Sequence, residues 1–297
     1  MAYFSKLYSI TPFEYLCPRD LDEALALLAQ YGREGKVVAG GTDLIIQLKM
    51  RQINPKYLID IQGLEELNFI KIDERNNLAI GSATTHRTIE QSEAVRGRAK
   101  VLSDAVYQLG TPQIRNVGTI GGNIANASPC SDIALPLLVL GASLKLKSSV
   151  RERVVPIEDF FAQVKKTIMK EDELLTEIIV PPQSTNAGES FIKIGRRYGH
   201  DLSVASIATI LTVSGSTFQN IRIAMGSVAP TPVRLRKVER FLEGKRLSDE
   251  NIGKASLAGL EEIHPISDVR ASAEYRTEIS KILIQRSIGE ASENAGG

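Results

Sequence analysis

Apolar residues recur along this chain with two different periods, and the changes of period mark its elements. Leu21, Ala24, Leu25 and Leu28 fall on one helical stripe, with Asp20 placed to cap it, Glu23 at the capping-box position and Gly32 to stop it. Residues 37–39, Val37-Val38-Ala39, read as a short buried strand, Gly40-Gly41 as a turn, and Leu44, Ile45 and Leu48 as a second helix capped by Asp43. Residues 57–61 form the next strand. The opening is therefore an α/β unit.

From residue 68 the pattern shortens to a period of two. Residues 69–72 and 78–81 predict a hairpin, Thr85 caps a short helix, and Val101, Leu102, Ala105, Val106 and Leu109 place a longer helix over 99–109. Residues 133–140 predict a buried helix, Leu144 and Leu146 a strand, 154–156 a strand, 159–161 the start of a short helix and 173–180 a strand. Pro181-Pro182-Gln183-Ser184-Thr185-Asn186-Ala187-Gly188 is the clearest linker, and the domain boundary is expected there. Beyond it, strands over 191–194, 204–213 and 221–225 precede helices over 234–242, 249–263 and 273–288, with a frayed tail from Glu290.

Two stretches interrupt this regularity. Residues 116–132, N-V-G-T-I-G-G-N-I-A-N-A-S-P-C-S-D, hold three glycines, Gly118, Gly121 and Gly122, beside Thr119, Asn123 and Ser128, with almost no charge. Glycine admits positive φ and close approach of backbone to a ligand, so such a loop suits an anion such as phosphate. Ala39-Gly40-Gly41-Thr42-Asp43 has the same character, and two such loops could hold the two phosphates of a dinucleotide.

Composition narrows the classes. Lys plus Arg total 36 against 35 for Asp plus Glu, a net charge of +1, so nothing draws the chain broadly to nucleic acid or anionic membrane. No apolar run reaches the roughly 20 residues of a membrane span, and the first residues lack a signal-peptide plan, so a cytoplasmic protein is expected. The two cysteines, Cys17 and Cys130, are too few for a disulfide framework or a four-thiolate cluster. His86, His200 and His264 have no metal-ligand spacing and read as caps or surface hydrogen-bonding groups, so no metal site is expected. No G-x-G-x-x-G, P-loop or G-x-S-x-G motif occurs, and no acid/base pair or nucleophile stands out, so no catalytic side chain is assigned.

A-G-G-T-D-L at 39–44 followed by T-P-Q-I-R-N-V-G-T-I-G-G-N-I-A-N-A-S-P-C-S-D at 111–132 resembles the FAD-binding medium subunit of the molybdenum hydroxylases, a family that includes aerobic carbon monoxide dehydrogenase and xanthine dehydrogenase. The resemblance covers nearly the whole chain. It implies an α+β fold: a two-lobed FAD-binding domain of the vanillyl-alcohol-oxidase (PCMH-like) type over residues 1–182, with lobes of about 1–61 and 62–182, and a C-terminal α+β flavoprotein domain over 183–297. By position, Val37, Val38, Ala39, Gly40, Gly41, Thr42, Asp43 and Leu44 would wrap the FAD pyrophosphate. Thr119, Gly121, Gly122 and Asn123 would hold its other side through backbone amides, with Thr111 and Gly118 of the same motif also at the cofactor. Asp132 would accept from a ribose hydroxyl, Leu109 and Leu175 would line the flavin, and Lys193 would approach it from the last lobe. Some relatives carry an aromatic in place of Leu109, so ring stacking on the flavin is expected either to be missing here or to come from Tyr198.

The implied function is electron transfer. A molybdopterin catalytic subunit would oxidise the substrate, a two-iron ferredoxin-like iron–sulfur subunit would relay electrons to FAD on this chain, and a small-molecule or protein acceptor would take them. Two alternatives stay open: a self-sufficient flavin oxidoreductase of the same fold, and a flavin-free scaffold subunit whose glycine loops are only turns.

Overall fold

The computed structural model describes residues 10–197 and 201–295. Its first lobe runs β1 (Glu14–Leu16), α1 (Leu21–Tyr31), β2 (Gly35–Val38), α2 (Leu44–Lys49) and β3 (Tyr57–Asp60), with β3 central and parallel to both β1 and β2. The Asp20 carboxylate accepts from the Glu23 amide at 2.8 Å, and Gly32, at φ +47°, ends α1. The Glu23 carboxylate accepts from the Arg19 amide, one residue before the expected capping-box partner. Strand β1 has no counterpart in the sequence pattern, because its three residues are largely exposed and show no alternation.

The second lobe comprises β4 (Ile70–Ile72), β5 (Leu78–Gly81), α3 (His86–Gln91), α4 (Glu93–Arg98), α5 (Lys100–Tyr107), α6 (Pro112–Val117), α7 (Ile120–Ala125), α8 (Ala134–Leu140), β6 (Ser143–Lys147), β7 (Glu152–Pro156), β8 (Phe161–Gln163), β9 (Lys166–Thr167) and β10 (Leu174–Val180). Five of its strands form an antiparallel sheet in the order β4-β5-β10-β6-β7. Every residue of α8 is buried, as its unbroken apolar run predicts. Residues 159–161, expected to start a helix, instead leave a 3-10 turn over Ile157–Asp159 and enter β8, because Phe160 and Phe161 are held edge to face, centroids 5.4 Å apart, around the core.

The last part runs β11 (Gly188–Ile194), β12 (Ala205–Ser214), β13 (Thr217–Gly226), β14 (Val233–Arg234), α9 (Arg236–Leu242), α10 (Asp249–Gly259) and α11 (Ala273–Asn294). Its four strands are antiparallel in chain order. As far as the described residues run, to Ala295, the tail from Glu290 is not frayed. Helix α11 continues to Asn294, Glu290 accepts from the Ser190 hydroxyl at 2.8 Å, and Ala291 is fully buried. A Cβ on Gly188 would stand 1.9 Å from the Ala291 carbonyl oxygen, so strand and helix meet backbone to backbone there.

The whole is an α+β fold, as expected. Among the described residues no helix is long and apolar enough to cross a membrane.

Candidate cofactor site

Stretch 116–132 is not one loop. Thr119 accepts from the Gly122 amide at 3.1 Å and so caps α7, which places the Gly121-Gly122 pair inside a short helix. Glycine is unfavourable in a helix interior, so its presence twice over needs a local cause. A Cβ on Gly121 would lie 2.5 Å from the Ser82 Cβ and 2.6 Å from the Ser82 carbonyl oxygen, and one on Gly122 would lie 2.9 Å from the Thr119 hydroxyl. The helix is pressed onto the segment that leaves β5. Gly121 donates to Ser82 O at 2.9 Å, Ile120 to Thr84 O at 3.0 Å, and the His86 amide to Gly118 O at 2.9 Å.

The two glycine motifs touch. A Cβ on Gly40 would stand 1.9 Å from the Val117 carbonyl oxygen and 2.8 Å from Gly118 Cα, so only glycine fits there. Gly41 follows at φ +66°, in the left-handed region. Their hydrogen-bonding states differ. The amides of Gly121, Gly122 and Asn123, expected to face a phosphate, already donate to Ser82 O, Thr119 Oγ1 and Thr119 O. Among the described residues no acceptor is found for the amides of Gly40, Gly41, Thr42 and Asp43 of the first motif, nor for that of Thr119 in the second, so most of the donors left over for an anion lie in the first motif. Asp43 takes the N-cap position of α2 but its side chain makes no capping bond.

Lys193 and Asp132, each expected near the cofactor but not beside the other, form an ion pair. Lys193 Nζ lies 2.7 Å from Asp132 Oδ2 and also donates to the Gln108 carbonyl at 3.1 Å, with both side chains buried. Asp132 Oδ1 is buried without a well-formed hydrogen bond, and the hydroxyls of Ser203 and Ser206 are the donors that face this carboxylate from the last lobe. Burial pushes the Asp132 carboxyl above the usual carboxylate range, against the opposing pull of the Lys193 ammonium. Leu175 is a buried residue of the main core, and Leu109 packs against that same core partly buried. Thr111 caps α6, accepting from Ile114 N at 3.3 Å. Tyr198 and His200 lie outside the described residues.

Other groups that shape the site left no signal in the sequence. Arg115 is buried. It donates to the Glu90 carboxylate at 3.0 Å and to the carbonyls of Leu109 and Gly110 at 3.0 and 3.2 Å, fixing the turn between α5 and α6. His86 is neither a cap nor a surface group. Its imidazole is 2% exposed, its Nδ1 has no partner, and a Cβ on Gly118 would meet its Cδ2 at 3.2 Å. Burial, aided by the Arg115 charge, lowers its pKa to about 4, so the ring is neutral at physiological pH. Among the described residues no His, Cys, Asp and Glu group could hold a metal ion.

Two touching glycine motifs with unclaimed amides, beside a buried lysine–carboxylate pair, suit an extended anionic nucleotide, the class of dinucleotide-binding proteins. Comparison with known proteins makes this specific. Residues 11–183 match the family model described as the FAD binding domain in molybdopterin dehydrogenase, and residues 190–291 the CO dehydrogenase flavoprotein C-terminal domain. The chain belongs to this family. It is an FAD-dependent oxidoreductase subunit of the carbon monoxide and xanthine dehydrogenase type. It is 34% identical over 279 residues to the carbon monoxide dehydrogenase medium chain of Hydrogenophaga pseudoflava, covering 94% of this chain and 96% of that one. It is also 34% identical over 278 residues to the xanthine dehydrogenase FAD-binding subunit of Escherichia coli, covering 93% and 95%. A solved structure of the Hydrogenophaga pseudoflava carbon monoxide dehydrogenase superposes with a TM-score of 0.93 at 33% identity, over 96% of this chain and 99% of its counterpart.

Proposed function

We propose that this chain holds FAD across the seam between its two glycine motifs, takes electrons from an iron–sulfur subunit of the two-iron ferredoxin-like kind and passes them to a small-molecule or protein acceptor, while a molybdopterin subunit of the same complex oxidises the substrate. The contact of Gly40 with Val117 and Gly118 carries this reading, because it makes one surface of residues 77 and 78 positions apart in the chain. Bound FAD supplies the redox chemistry. The chain's share is to bind and orient it. Amides of residues 40–43 offer donors to the pyrophosphate, and α7 forms the wall opposite with Thr119, Gly121, Gly122 and Asn123. The Asp132 carboxylate accepts from a hydroxyl of the sugar or ribityl chain, and Lys193, Leu109 and Leu175 close the ring end. A site made for binding and orientation needs no side-chain acid, base or nucleophile.

We further propose residues 1–182, in lobes of about 1–61 and 62–182, as the FAD-binding domain and 183–297 as the flavoprotein C-terminal domain. The cytoplasm is its proposed compartment, consistent with two unpaired cysteines. Purified chain incubated with FAD should acquire a flavin absorption band and keep it through gel filtration. A colourless product would refute the reading. Co-purification from the native host should bring down an iron–sulfur and a molybdenum-containing chain.

A further inference from the structure

The two glycine motifs carry no lysine, arginine or histidine. Across residues 37–44 and 116–132 the charged side chains are Asp43 and Asp132, both anionic. Carboxylates beside an anionic ligand oppose its binding unless a cation offsets them. Lys193 offsets Asp132, and the cation beside Asp43 comes from the turn between β8 and β9. Lys165 Nζ donates to Asn126 Oδ1 of the second motif at 2.9 Å and stands 3.9 Å from Asp43 Oδ1 of the first. Its backbone is tied down as well, the Lys165 amide donating to Ala127 O at 3.0 Å. Both residues of that bond are in the left-handed region, Lys165 at φ +58° and Ala127 at φ +46°, where a residue with a side chain is unfavourable. A two-residue hairpin turn with positive φ at its second position normally takes glycine or asparagine. Here a lysine takes it, and the strained turn aims the ammonium at the seam.

We propose that Lys165 is a third arm of the FAD site: its ammonium neutralises Asp43 and supplies the positive charge that the pyrophosphate meets between the two motifs. This rests on the FAD reading above. The side chain is 46% exposed, so it can turn from Asn126 and Asp43 toward an incoming phosphate without unpacking any core.

The test compares the parent chain with Lys165→Gly, Lys165→Met and Lys165→Arg. FAD affinity is titrated by flavin fluorescence at several salt concentrations, and the melting temperature of each flavin-free chain is recorded. Lys165→Gly and Lys165→Met should weaken FAD roughly tenfold to a hundredfold and flatten the salt dependence, as loss of one charge-assisted contact requires. Lys165→Arg should retain most of both. Flavin-free Lys165→Gly should melt at or above the parent, since glycine relieves the left-handed turn. Unchanged affinity and salt dependence in the Gly and Met variants would overturn the proposal and leave the FAD reading standing. So would weakened FAD accompanied by a lower melting point in both, which marks a structural role. A parent chain that takes up no FAD would overturn both readings.

Discussion

Glu189 and Lys193 stand four residues apart on one face of β11 and hold opposite ends of α5. The Val101 amide, in the first turn of that helix, donates to Glu189 Oε2 at 2.5 Å, and Lys193 Nζ donates to the Gln108 carbonyl at its C-cap at 3.1 Å. Four strand residues span about 13 Å and the helix from 101 to 108 about 10 Å, so a single strand face reaches both ends. A carboxylate at the N-terminus and an ammonium at the C-terminus match the helix dipole. Ala99, the local N-cap residue, has no side-chain acceptor of its own, so the cap arrives from the far side of the linker.

Replacing Glu189 with alanine should therefore cost about 1–2 kcal/mol, the size of a lost N-cap. Burial raises the Glu189 carboxyl above its ordinary value. The folded state thus binds this proton more tightly than the unfolded chain, and the stability it contributes is complete below about pH 4 and declines as pH rises through the raised value. Glu189→Gln should lack that decline. Urea midpoints measured across this range decide it, and parallel profiles for parent and Gln variant would contradict the account.

Lys193→Met leaves Asp132 without its cation in a dry site, and breaking a buried pair in this way costs about 3–5 kcal/mol. Its loss should be largest at neutral pH and shrink on acidification, because a carboxyl already raised by burial rises further without its cation. Adding Asp132→Asn should recover part of the stability. A double variant no more stable than Lys193→Met would show that the lysine acts through packing.

Gly40→Ala drives a methyl into the Val117 carbonyl and Gly121→Ala drives one into Ser82, so both should lower flavin content and melting temperature together. A methyl added at Gly97 in α4 would meet nothing within 4 Å, and Gly97→Ala should raise stability by about 0.5–1 kcal/mol with flavin content unchanged. Differential scanning calorimetry beside absorbance ratios separates the two classes.

His86 sets an acid limit. With its pKa lowered to about 4, the folded state resists a proton that the unfolded imidazole takes up near pH 6.5, so stability holds above that pH and falls as pH drops toward 4. The integrated loss is ~3 kcal/mol. The ring packs under Gly118, so bound flavin should be released over the same interval, and His86→Gln should soften the slope. A pH titration of flavin fluorescence with no release above pH 4 would refute this.

Much of this is legible in the sequence. Residues 133–140 announce a buried helix because apolar on every side has few other readings, and the glycine motifs announce close backbone approach because no other residue permits it. What is not legible depends on partners distant along the chain. The stretch at Gly121-Gly122 reads as loop since glycine argues against helix, and only Ser82, some forty residues earlier, explains why the helix needs it. Asp132 reads as a hydroxyl acceptor, but the Lys193 pairing requires two segments 61 residues apart to meet. Lys165 is invisible because residues 159–161 resemble a helix start, which hides the hairpin behind them.

The linker over 181–188 is punctuated like a border, yet Phe191, Ala208, Ile210 and Ala224 from beyond it share one core with α8, Ile178 and Val180 from before it. Neither segment can shed the other without presenting a bare oily wall to water. Heating should produce one transition rather than two, and a gene cut at the linker would yield two insoluble halves.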